Sequence, residues 1–294
     1  MTSRRLFLQQ VAALILSPAL ARAQGSESYG QGLLWRVAVG DAPPSHLFGT
    51  LHSGDPRVLE RARTLQDLLA GARVFMPELV TDADAVNVFM AASTSGYDDL
   101  PRLVGRKYWP RVAQALTLHN IDTRVQPRLR PWAALVTLLQ PLGPAQTTLD
   151  ELLIRNAQAL NRPVQPIEQV QEQIDAFATL PASTQIALLI DTARRHDTLQ
   201  AGVAPMIAAW LAGDIDELAR INTRLIGDDP ALRRHAQRLM NALLTQRNPR
   251  FVQRLLPEIR QGGVFAAFGA AHLTGHDGVL ARLRDAGCSV EKVV

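Results

Sequence analysis

Apolar positions gather at the two ends of the chain as short unbroken runs, and between them they recur at helical spacing. Residues 33–39 and 46–51 read as two strands joined by the turn-rich Gly40-Asp41-Ala42-Pro43-Pro44-Ser45. Residues 57–70 carry Val58, Leu59, Ala62, Leu65, Leu68 and Leu69 at helical spacing, and Gly71 marks the end. Residues 73–76 then form a short apolar strand that hands over to Pro77-Glu78. The order strand, helix, strand predicts parallel pairing inside an α/β core.

From residue 82 to about 260 the pattern is helical and repeatedly punctuated by proline, with one further strand at 163–167 that ends on Glu168 and a helix over 169–178. Residues 262–268 are a buried strand, 275–285 a helix and 289–294 a terminal strand. No repeat or low-complexity run interrupts this order. The expected fold is α/β: a sheet core built from the N- and C-terminal segments, with a large helical insert over about 82–260, in a single domain spanning 24–294.

Residues 1–23 are expected to be a cleaved export signal. Arg4 and Arg5 form its charged region, residues 11–20 its apolar region, and Ala21-Arg22-Ala23 its cleavage site. Ser3-Arg4-Arg5-Leu6-Phe7-Leu8-Gln9 resembles a twin-arginine signal, an ordinary Sec signal being the alternative. The mature chain is then periplasmic or otherwise exported, with no permanent membrane anchor. Removing three arginines and no acids takes the formal charge from +4 to +1. That balance, with aromatics at 5% and no basic block, argues against a nucleic-acid partner. The sole cysteine, Cys288, can form no intramolecular disulfide.

The chemistry follows from where the strands stop. In α/β sheets, polar side chains just past the carboxyl ends of strands share one crevice, and here those positions are His52, Glu78, Glu168 and His272. Two imidazoles and a carboxylate suffice to hold a divalent transition metal and leave a position for water. Gly49 and Gly269, each three residues before a histidine, let the backbone bend or approach a ligand closely.

The run Leu47-Phe48-Gly49-Thr50-Leu51-His52, the strand-borne Glu78, Pro166-Ile167-Glu168 with Gln173, residues 210–214, Arg247-Asn248 and Phe268-Gly269-Ala270-Ala271-His272 resemble the TraB/GumN family, related to the Tiki-type metalloproteases. The resemblance covers nearly the whole mature chain and departs from the pattern at Pro77, where an aliphatic residue is usual. It implies an erythromycin-esterase/ChaN-like core with a helical insert. It also implies a metal site of His52, His272 and Glu78 for manganese, cobalt or zinc.

Each candidate has a bland counterpart. A histidine of this kind can be a hydrogen-bonded core residue, Glu78 and Glu168 can cap the helices that follow, and Arg247-Asn248 can be the charged last turn of a long helix. In the functional reading, Arg247 and Asn248 orient substrate and stabilise an oxyanion, Glu78 is a ligand or general base, and Glu168, Gly49 and Gly269 stand behind them. His276 reads as a solvated loop residue, and His46, His119, His196 and His235 as surface residues.

Two classes of function stay open. One is a metal-dependent hydrolase, peptidase-like, acting on a peptide or small-molecule substrate through an activated water. The other is a non-catalytic periplasmic ligand-binding or envelope/exopolysaccharide assembly factor. A metal-free His/Glu esterase lies between them.

Overall fold

The computed structural model describes residues 29–144 and 146–293, so the export signal expected at 1–23 lies outside the described residues. Five strands form one sheet: β1 (Leu34–Ala38), β2 (Ser45–Thr50), β3 (Val74–Pro77), β4 (Val264–Gly269) and β5 (Ser289–Lys292), in the order β3-β4-β2-β1-β5. The α/β expectation holds: β1 and β2 make the antiparallel hairpin, and β4 lies parallel between β3 and β2. Every residue of β3 and β4 is buried, as strands covered on both faces require.

This topology decides where the chemistry gathers. Because β2, β3 and β4 run the same way, their carboxyl ends share one edge of the sheet, with Thr50 opposite Gly269 and Pro77 opposite Ala267. Two segments 220 residues apart in sequence are thereby neighbours. Gly49 is needed for that closeness: a Cβ there would lie 2.6 Å from Leu273 Cδ1 and 2.9 Å from Ala270 Cα.

The expected strand at 163–167 is an edge segment rather than a ladder. Gln165 N–H donates to the Phe75 carbonyl (2.9 Å) and Ile167 N–H to that of Pro77 (2.8 Å), but Pro163 and Pro166 have no N–H to give, and a single bridge, Phe75 to Val164, results. The expected helix 57–70 is three short pieces, Pro56–Leu59, Arg61–Thr64 and Gln66–Gly71. At the second joint the Thr64 hydroxyl donates to the Arg61 carbonyl (2.9 Å), competing with the backbone ladder. The helix expected at 275–285 begins at Val279, after a 3-10 turn Ala270–His272 and a loop in which Gly275 has φ +85.

The segment 82–260 is helical, but its helices divide between two cores. Leu149–Ala159, Val203–Leu211 and much of Ile215–Ile226 pack with the sheet. Ala83–Ser93, Trp109–Leu118, Pro131–Leu138, Ala182–Arg194 and Pro230–Met240 bury a separate cluster around Phe89, Trp132, Leu135 and Leu189. Within the sheet core, Trp210 Nε1–H donates to the Gly49 carbonyl (3.0 Å). Among the described residues no helix is long and apolar enough to cross a membrane.

Candidate active site

His52, Glu78 and His272 converge on the edge formed by the ends of β2, β3 and β4. A Cβ placed on Gly269 would stand 3.5 Å from Glu78 Oε2, 3.6 Å from His272 Cδ2 and 3.8 Å from His52 Nε2, so one small volume borders all three side chains. His52 Nε2 and Glu78 Oε2 are 3.8 Å apart. His52 arrives on the loop after β2, Glu78 directly after β3, and His272 at the end of the 3-10 turn after β4.

Glu78 is fully engaged from behind. Its Oε1 accepts from Arg247 Nη2 (2.6 Å) and Gln173 Nε2 (3.0 Å), and its Oε2 accepts from the Gly269 N–H (2.8 Å). Burial pushes its carboxyl up, but the Arg247 charge, aided by the imidazoles and the Gly269 N–H, holds it well below the usual carboxylate range.

Arg247 is buried and forked between two acids: Nη2 and Nε reach Glu168 at 2.6 and 3.0 Å, Nη2 also reaches Glu78, and Nη1 donates to the Leu243 carbonyl (3.0 Å). Burial raises the Glu168 carboxyl above its ordinary value, only partly offset by Arg247. Glu168 therefore belongs to the site and does not cap the next helix, where Gln169 and Glu172 make the capping box. Glu78 is not a helix cap either; that place is taken by Asp82, which accepts from the Ala85 N–H (2.8 Å).

Arg247-Asn248 lies at a joint, just after the helical run from Pro230 to Thr245 ends and where another helix begins. A π turn, Asn241–Thr245, precedes it, and the helix Asn248–Gln261 starts there with Pro249 in its first turn, where a missing N–H is harmless. At this joint adjacent residues both face inward, Arg247 to the acids and Asn248 to His272. Asn248 Nδ2 donates to the Asp277 carbonyl (2.9 Å), which leaves its Oδ1 to accept from His272 Nδ1 (2.6 Å). His272 thus carries its proton on Nδ1, and its Nε2 is buried with no partner.

His52 is held in a parallel way by a residue that sequence reasoning missed. Asp150 Oδ2 lies 2.8 Å from His52 Nδ1, off the axis of a linear hydrogen bond, and His52 Nε2 is likewise buried without a partner. The signal for Asp150 was slight: Thr148 and Glu151 form the capping box of the helix Leu149–Ala159, and an acid in such a first turn reads as a complement to the helix dipole.

The two rings differ in charge preference. Burial, reinforced by Arg247, pushes His272 down to about 3, whereas for His52 burial is outweighed by Asp150 and Glu78, which raise it above 6.5. In the metal-free protein, NMR titration should find His52 protonating above pH 6.5 and His272 neutral down to about pH 4. The signs follow: His52 adds stability that is lost as pH rises through its raised value. His272 costs stability as pH falls below 6.5. Two rings titrating together would contradict this arrangement.

The remaining histidines divide. His276 is exposed and paired with Asp277 (2.9 Å), as expected of a loop residue. His196, expected at the surface, is buried, because its Nε2 finds a partner in His119 Nε2 at 2.8 Å. His46, His119 and His235 are half-buried.

The chain matches the model of the TraB/PrgY/gumN family over residues 33–292. It belongs to that family. Every site residue of this TraB/PrgY/gumN chain falls inside the match. It is also similar to Metalloprotease TIKI2 of Danio rerio, 28% identical over 164 residues, which is 49% of this chain and 32% of that protein. The similarity thus spans about a third of that relative's length.

Among the described residues no group of three or more His, Cys, Asp or Glu side chains is arranged to hold a metal ion. The donor chemistry nonetheless fits an ion: His52 and His272 each have a buried Nε2 without a partner and a second residue at Nδ1, and both rings border the same small volume as Glu78 Oε2. Ligands of one ion stand about 3–4 Å apart for bonds near 2.1 Å, and His52 Nε2 and Glu78 Oε2 meet that spacing at 3.8 Å.

Proposed function

We propose that this chain is an exported, metal-dependent hydrolase of peptidase-like specificity, in which His52, His272 and Glu78 hold a divalent transition metal (manganese, cobalt or zinc). The observation that carries the reading is that His52 and His272 each have a buried Nε2 with no partner, on rings that border the same small volume as Glu78 Oε2. The peptide substrate follows from the similarity to a metalloprotease, and export from residues 1–23.

A metal bound there would polarise a carbonyl and lower the pKa of a water towards neutrality. The chain's own part is to present and hold the donors. Glu78, kept far below the usual carboxylate range, is a poor proton acceptor and a good ligand, so of its two candidate roles the ligand is favoured. Arg247 positions Glu78, since its forked contacts are spent on two carboxylates instead of facing a substrate, and Asn248 fixes the His272 tautomer.

Metal analysis of purified mature protein beside His52→Ala tests the reading. One equivalent of metal in the wild type, lost in the variant, is the expected result. No metal in either protein overturns it and moves the function to a metal-free His/Glu esterase or a ligand-binding factor.

A further inference from the structure

We propose that Asp150, braced by Thr50, is a positioning residue that fixes His52 with its proton on Nδ1 and its Nε2 lone pair directed into the site. The Thr50 hydroxyl donates to Asp150 Oδ1 (2.7 Å), and Asp150 Oδ2 stands 2.8 Å from His52 Nδ1. A bare ring nitrogen at that distance from a carboxylate would set lone pair against lone pair, so Nδ1 holds the proton whatever the angle of the contact. The inference rests on the reading of His52 as a ligand, but its central claim concerns the ring alone.

The brace is built into the fold. Thr50 is the last residue of β2 and is buried, so its hydroxyl is fixed by the sheet. Asp150 sits in the first turn of the helix Leu149–Ala159, whose start is set by the Thr148/Glu151 capping box and tied to the His52 loop by the Leu149 N–H donating to the Ser53 carbonyl (3.1 Å). The helix dipole favours a carboxylate at that position. Asn248 does the same service for His272 through a neutral amide, so the two rings share one tautomer but have supports of different charge. Partners of this kind typically carry about 10- to 100-fold in metal affinity.

The test is nitrogen-15 NMR of the chelator-treated protein at mildly alkaline pH, with calorimetric titration of Co2+ alone. Both His52 and His272 should appear as the Nδ1–H form. Asp150→Ala should move His52 to the Nε2–H form and lower Co2+ affinity about 10- to 100-fold, leaving His272 unchanged as a control in the same spectrum. Asp150→Asn, which can still accept from Nδ1, should keep the tautomer and recover part of the affinity. Thr50→Val, which removes only the brace, should give a smaller shift in the same direction and serves if Asp150→Ala does not fold. An Nε2–H His52 in the wild type, or an unchanged His52 tautomer in Asp150→Ala, overturns the proposal. A correct tautomer pattern in a protein that binds no Co2+ would instead overturn the metal reading and leave the positioning role standing.

Discussion

Replacing Arg247 by alanine should destabilise the metal-free protein by about 3–5 kcal/mol at neutral pH, the usual cost of stripping one partner from a buried ion pair. Arg247 is 3% exposed and is the cation shared by Glu78 and Glu168, so its removal leaves two buried carboxylates facing each other. For a domain of roughly this size the loss corresponds to about 6–20 °C in melting temperature. Arg247→Lys keeps the charge but not the fork and should fall between.

The pH dependence identifies the cause. In the wild type Glu78 is held below its ordinary 4.5, so its contribution is complete above that value and is lost as pH falls beneath it. In Arg247→Ala the largest opponent of burial at both carboxyls is gone, so both should rise and the folded state should hold its protons to higher pH than the wild type does. The deficit should therefore be largest near pH 8 and shrink towards pH 5. Thermal unfolding of both proteins in chelator at the two pH values decides it. A loss of turnover with stability and metal content intact would return Arg247 to the oxyanion role that its place in the motif first suggests.

That first expectation shows which parts of the molecule were legible. The central strands were, because β3 and β4 are unbroken apolar runs closed by proline and glycine, and the shared direction of β2 and β3 followed from the strand-helix-strand order. The convergence of His52, Glu78 and His272 followed in turn, since polar residues past parallel strands meet at one edge. Arg247 was not legible in the same way. The apolar pattern marks the end of the helical run before the pair, but not the π turn that closes it or the new helix that begins at Asn248. The partition of 82–260 between two cores was hidden for a related reason: an amphipathic helix shows that it has a buried face but not which core receives it. His196 and Asp150 were missed because their partners lie far off in sequence, 77 residues away at His119 and about 100 away at Thr50 and His52.

Gly269→Ala should weaken metal binding by on the order of 100-fold and leave the fold intact. The backbone there, at φ −48 and ψ 128, is open to any residue, so a side chain brings no strain. The new Cβ would make ordinary van der Waals contacts, none shorter than 3.5 Å, and those contacts are with Glu78 Oε2, His272 Cδ2 and His52 Nε2. The methyl group would then occupy the space those donors border. Co2+ affinity should fall by on the order of 100-fold, the upper end for disturbing a site's surroundings, while the melting temperature of the metal-free protein shifts by no more than about 2 °C, as for a substitution that leaves the core alone. Gly49→Ala supplies the contrast: its Cβ would press to 2.6 Å on Leu273 and 2.9 Å on backbone, so it should cost about 1–3 kcal/mol of stability through overpacking. Two glycines at matching places in two matching motifs would then part company, Gly49 serving packing and Gly269 keeping space beside the three donors. Wild-type Co2+ binding in Gly269→Ala would mean that the volume beside His52, Glu78 and His272 is not where an ion sits.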